Sequence, residues 1–118
     1  MLGLLLANCS VVRILVVAAL CGCLPQSVNV SGSGLTTGLQ VQRLDCASAA
    51  TLERYASGAG SVRITIYDGT GAATYDDHTE VTGQVDDSHD VDGAPGDWRL
   101  AVDPGAFAGQ FKITLSCL

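Results

Sequence analysis

Hydrophobic and polar positions alternate most regularly over Asp97–Leu118. Trp98, Leu100 and Val102 share one face of a first run, and Phe111, Ile113, Leu115 and Cys117 share one face of a second, with Arg99, Gln110, Lys112, Thr114 and Ser116 opposite. Pro104-Gly105 lies between the runs, so the pattern predicts a half-buried antiparallel hairpin that closes the chain. Val62–Asp68 alternates as cleanly, with Val62, Ile64 and Ile66 against Arg63, Thr65 and Tyr67, and predicts a central strand. The residues that follow, Asp68-Gly69-Thr70-Gly71, tolerate positive φ, so Ala72–Asp76 is expected to return antiparallel.

Other segments alternate more weakly. Leu39 and Val41 fall out of phase with Leu44 and Cys46, which predicts a strand with a bulge near Gln42 or Arg43. A strand is expected over Thr51–Ala56, with a helical turn as the alternative, and Gly58-Ala59-Gly60-Ser61 reads as a loop. Further strands are expected over Glu80–Val85 and Ser88–Val91, before a turn at Gly93–Gly96. Pro25–Thr37 is rich in Ser and Gly and reads as a tether leading into a first edge strand. Short strands with turns at roughly ten-residue spacing predict an all-β fold, a small antiparallel β-sandwich of about seven to eight strands. The expected organisation is a signal segment over residues 1–22, Cys23 and a tether over 23–37, and the sandwich over 38–118.

Composition narrows this picture. With the leader set aside, roughly 95 residues remain, enough for one domain with one modest core. Aromatic residues make up only 5% of the chain, so that core must rely on Val, Ile, Leu and Ala. Residues 23–118 carry five basic side chains against twelve acidic ones, a formal charge of −7, which repels nucleic acid and anionic headgroups.

Met1–Leu24 is nearly all apolar, but Arg13 interrupts it, and an Arg near the middle of a membrane span costs about 2.5–3.5 kcal/mol. From Arg13 onward the order is a positive residue, the short apolar run Ile14–Leu20, then small residues before Cys23, as in an export signal. The second apolar block ahead of Arg13, Leu2–Ala7, suggests that translation starts nearer Val11 or Val12. Leu20-Cys21-Gly22-Cys23 resembles the lipobox of bacterial lipoprotein signal peptides. That resemblance implies a diacylglyceryl group on Cys23, cleavage just before it, and a lipid anchor in the cell envelope. Leu24, in place of the Asp that marks inner-membrane retention, favours the outer membrane if the organism is Gram-negative. An ordinary secretory signal and an uncleaved N-terminal anchor are the alternatives.

Cys46 and Cys117 end strands on inward faces, which in an oxidising compartment fits a disulfide; two buried free thiols are the alternative. No CxxC pair is present, which argues against a zinc ribbon or a thioredoxin-like site. The acidic stretch Asp76–Asp97 offers oxygen ligands, with Asp86, Asp87, Asp90 and Asp92 as weak Ca²⁺ candidates. Read as an EF-hand loop it would place Arg99 where the bidentate Glu is required. A zinc site using His78 and His89 would need separate segments to converge, so a solvated acidic face is the expectation, with no cofactor. Neither a G-x-S-x-G elbow, an HExxH pair nor a phosphate-cradling glycine loop occurs, and the domain is expected to be noncatalytic. Tyr67 and Trp98 could stack on a sugar if exposed, although the alternation around Trp98 places it in the core.

Gly96-Asp97-Trp98-Arg99-Leu100, followed by Ala106-Phe107-Ala108-Gly109, is similar to the end of bacterial pre-peptidase C-terminal domains, which are small β-sandwiches, and this resemblance again implies a sandwich. The function expected from the sequence is a noncatalytic, lipid-anchored envelope module with an unidentified protein or glycan partner. An exported Ca²⁺- or carbohydrate-binding module is the alternative.

Overall fold

A computed structural model describes residues 24–118. They form five antiparallel strands, β1 (Ser27–Thr36), β2 (Gln40–Cys46), β3 (Ala49–Tyr67), β4 (Ala73–Asp92) and β5 (Gly96–Cys117). The sheet order is β1-β5-β3-β4, and β2 pairs with β5 on the edge that β1 leaves free. Five continuous strands thus replace the seven to eight short ones expected. The reason is that β3, β4 and β5 run for 19, 20 and 22 residues and pass through a crease.

Glycine builds that crease. Gly34, Gly109, Gly58 and Gly83 stand in one register row across β1, β5, β3 and β4. All four have positive φ (79°, 143°, 142° and 114°), a backbone that side-chain-bearing residues rarely adopt. At Gly58 a Cβ would also run into the carbonyl oxygen of Ala108, and at Gly109 into that of Ser57. The sheet folds over along this line, so each long strand contributes one half to each of two packed layers. The first layer holds β2, the first half of β5, the second half of β3 and the first half of β4. The second holds β1 and the complementary halves.

The expected C-terminal hairpin is therefore not formed. Its two alternating runs keep their inward faces, with Trp98, Leu100, Val102, Phe111, Ile113 and Leu115 all buried. They pair with β3 and not with each other, Leu100 opposite Ile66 and Leu115 opposite Leu52. Pro104-Gly105, together with Ala106 at φ 53°, bends the strand without reversing it. Gly58–Ser61, expected as a loop, likewise lies within β3, and the two strands expected between Glu80 and Val91 are one. The bulge expected in β2 is absent: its register with β5 is regular, and Leu39 and Val41 simply face outward while Leu44 and Cys46 face in.

β1 begins at Ser27, inside the segment read as a tether, because Val28 and Val30 bury against the core. The chain is pinned even earlier, since Asp45 N–H donates to the Pro25 carbonyl (2.9 Å) and Cys117 N–H to that of Gln26 (2.8 Å). Cys46 and Cys117 form a disulfide, with Cα atoms 5.3 Å apart, and staple the two layers together at the end opposite the crease. The interior is one cluster drawn from both layers, including an edge-to-face pair of Phe107 and Phe111 at 5.8 Å.

Candidate functional site

The outer face of the first layer carries a groove of about 670 Å³. Its shape follows from side-chain size at outward positions. Val41, Ala101, Thr65 and Asp76 stand in one register row across β2, β5, β3 and β4, and the short Ala101 and Thr65 leave a floor. On one side the neighbouring row raises Tyr67 and Arg99, with the guanidinium carbon of Arg99 5.4 Å from the Tyr67 ring centroid. Arg63 and Asp103 form the other side. Leu39 and Val41, 62% and 47% exposed, add an apolar margin.

The polar groups here are fixed by one another. Arg63 donates to both oxygens of Asp76, Nε to Oδ1 at 3.1 Å and Nη2 to Oδ2 at 2.8 Å, and Thr65 Oγ1 donates to Oδ1 at 3.2 Å. The hydrogen bonds from Arg63 hold the Asp76 carboxyl below the usual carboxylate range, so it is an anion at neutral pH. The groove thus presents apolar surface, a partly exposed aromatic ring and oriented polar groups in one concavity, the mixture found in small-ligand sites.

Beneath one end of the groove lies a knot that fixes β3, β4 and β5. Asp68 Oδ1 accepts from Thr70 N–H (2.9 Å) and Thr70 Oγ1 (2.6 Å), and Oδ2 accepts from Ala94 N–H (3.0 Å). These bonds, chiefly that from Ala94, lower the Asp68 pKa to about 2. The Trp98 indole donates to the Ala94 carbonyl at 2.7 Å from a fully buried position. Trp98 is consequently core, whereas Tyr67 lines the groove.

The acidic candidates are spread along β4 and not gathered. Asp87 faces inward and takes Arg54 Nε at 2.7 Å and Nη2 at 2.6 Å, while Asp90 accepts from Thr51 Oγ1 at 3.4 Å on the outer face. Asp86 stands opposite Tyr55, and Asp92 ends the strand. His78 lies opposite Arg63 in the first layer, and His89 lies opposite Leu52 in the second, so they do not converge. Among the described residues no group of three or more His, Cys, Asp and Glu side chains is placed to hold a metal ion. Cys23 lies outside the described residues.

Ala101, Thr65 and Arg99 escape a reading of the sequence for reactive motifs. Their signal was the outward phase of two clear strands, with a small residue at its centre.

Comparison with protein-family models and with curated proteins gives no match. Among solved structures the chain is similar to the carbohydrate-binding module TmCBM61, solved with β-1,4-galactotriose, at TM-score 0.50 and 12% identity, covering 76% of this chain and 68% of that one. It is also similar to a carbohydrate-binding module of Cellvibrio mixtus lichenase 5A solved with cellotriose, at TM-score 0.44 and 12% identity, covering 82% and 91%. A third likeness is to the enzymatically active domain of bacteriophage CBA120 tailspike protein 4, at TM-score 0.44 and 13% identity, covering 76% of this chain and 17% of that one. At such identities the likeness concerns the fold, a β-sandwich.

Proposed function

We propose that this domain is a noncatalytic glycan-binding module whose ligand lies in the groove over Ala101 and Thr65. The observation that carries the proposal is the groove itself, with Tyr67, Leu39 and Val41 beside oriented Arg, Asp and Thr side chains. Sugar rings need both kinds of contact, because their C–H faces pack on apolar and aromatic surface while their hydroxyls require fixed donors and acceptors. The sandwich shared with TmCBM61, whose structure holds β-1,4-galactotriose, supports the same reading. Calorimetric titration of the purified protein with β-1,4-galactotriose and cellotriose tests it. Heat and a thermal shift are expected with at least one sugar of a panel that adds charged trisaccharides to these two, and silence across that panel sinks the proposal.

The proposal extends to location. The export leader and an acylated Cys23 rest on the Leu20–Cys23 motif, with the outer membrane as the destination if the organism is Gram-negative. Because Pro25 is already bonded to β2, only Leu24 separates Cys23 from the fixed part of the domain. An acylated Cys23 would hold the stapled end against the bilayer, with the crease and Leu39 pointing away. Intact mass of the membrane-extracted protein checks this: a diacylglyceryl-modified chain starting at Cys23 is expected, and an unmodified N-terminus contradicts it.

A further inference from the structure

Four arginines lie among the described residues, and aspartates hold three of them: Asp97 holds Arg43, Asp77 and Asp87 hold Arg54, and Asp76 holds Arg63. Arg99 has no carboxylate within ion-pair distance among these residues. It is exposed, lines the groove, and lies over Tyr67. In a chain with twelve acidic side chains, an arginine without an acidic partner at the wall of the main groove needs a reason.

A second observation points the same way. Arg43 stands directly opposite Arg99 across the β2–β5 pair, and like charges in directly opposed positions are unfavourable. Asp97 forms its ion pair with Arg43 and acts on Arg99 only through space, so the Arg99 guanidinium keeps its N–H donors free of a carboxylate. Tyr67, beneath the guanidinium, limits its motion. Less conformational freedom would then be lost when its paired N–H donors meet a planar anion.

We propose that the groove takes an anionic glycan, with the carboxylate of a uronic acid residue docked on Arg99 and the sugar chain running over Ala101 and Thr65 toward Arg63. This rests on the groove being a glycan site, and its test separates the two. Calorimetry at low ionic strength would compare β-1,4-galactotriose, a trigalacturonate and a sulfated trisaccharide. The trigalacturonate is expected to bind about tenfold more tightly than the neutral trimer, as a charge-assisted pair implies. That advantage is expected to shrink as salt is raised. In Arg99→Gln, checked for folding by thermal unfolding, the preference for the charged trimer should fall below about twofold. If that variant does not fold, the salt dependence of the parent's preference carries the test. Equal or tighter binding of the neutral trimer overturns the anionic assignment and leaves the groove a glycan site. Preference for the sulfated sugar overturns the carboxylate, and no binding by any of the three overturns the anionic assignment and, where cellotriose and the wider panel are silent as well, the glycan reading with it.

Discussion

The two layers of the sandwich are cut from the same three strands, yet their outer faces differ in kind. In the first layer the outward rows mix sizes and charges, with Val41, Ala101, Thr65 and Asp76 in one and Arg43, Arg99, Tyr67 and Ala73 in the next. Small residues at the centre and large ones around them make a groove. In the second layer the rows are Ser88, Glu53, Thr114 and Asn29, then Asp86, Tyr55, Lys112 and Ser31, then Gln84, Ser57, Gln110 and Ser33. Every position there is polar, with Tyr55 as the single aromatic ring, 38% exposed, between shallower depressions of about 350 and 540 Å³. A shared backbone therefore leaves the difference to the outward positions, and the first layer is the one with the groove in which the proposed ligand would lie.

The largest expected effect concerns what joins the layers. Replacing Cys46 and Cys117 together by Ser removes a bridge spanning 71 residues of sequence. The chain-entropy relation puts the loss near 4 kcal/mol, a large share of a small domain's stability. Urea denaturation of the double variant measures it, and a loss below about 1 kcal/mol would show that the crease and the shared core hold the layers together without the bridge. Next in size is a direct contrast of the faces. Ala101→Trp fills the floor of the groove and is expected to weaken oligosaccharide binding about a hundredfold, whereas Tyr55→Ala should change it less than twofold. Equal losses would move the ligand to the second face or to neither.

A smaller effect is expected where the two layers meet along β4. Arg54, its side chain only 11% exposed, reaches Asp77 of the first layer and Asp87 of the second, both at 2.6 Å. Nearby, Tyr75 of the first layer leans on His89 of the second at 5.9 Å. Arg54→Ala leaves two carboxylates without their cation. It should cost about 1–2 kcal/mol, between the exposed and the buried limits for such pairs, as read from urea unfolding. The remaining acids of β4 line an edge strand, where charge discourages pairing with another chain.

Much of this was legible in the sequence, and the rest fails for a definite physical reason. Period-two alternation identified the inward faces correctly at Ile64, Ile66, Trp98, Leu100, Ile113 and Leu115, because burial on one side of a pleated strand leaves that signature. The disulfide partners and the Asp68–Gly71 turn followed from the same reading. Pairing did not. Gly58, Gly109 and Pro104 carry local preferences that suit both a chain reversal and a bend, and only the register of neighbouring strands decides which occurs. The groove was hidden for a related reason. Ala101 and Thr65 become a floor only when β5 and β3 lie side by side, and sequence spacing does not reveal that adjacency.

The smallest expected effect tests how rigidly the first layer's end is held. The Asp68 carboxylate joins the β3–β4 turn to the β4–β5 loop, and its pKa in the folded domain is about 2, below the roughly 3.9 of an unfolded aspartate. A depressed carboxylate contributes stability that is fully present above the unfolded value and is lost as pH falls through the folded one. Asp76, Asp87 and Asp97 are also depressed by their arginines, so acid destabilises the domain through several groups at once. Asp68→Asn isolates one of them. The variant should unfold at lower temperature than the parent at pH 5–7, and the gap should narrow as pH falls from about 4 toward 2, where the parent's own carboxylate is neutralised. Thermal melts of the two proteins across that range provide the measurement. A gap independent of pH would mean that Asp68 acts by shape, with the turn and loop held by their backbone bonds, Gly69 N–H to the Ala94 carbonyl among them.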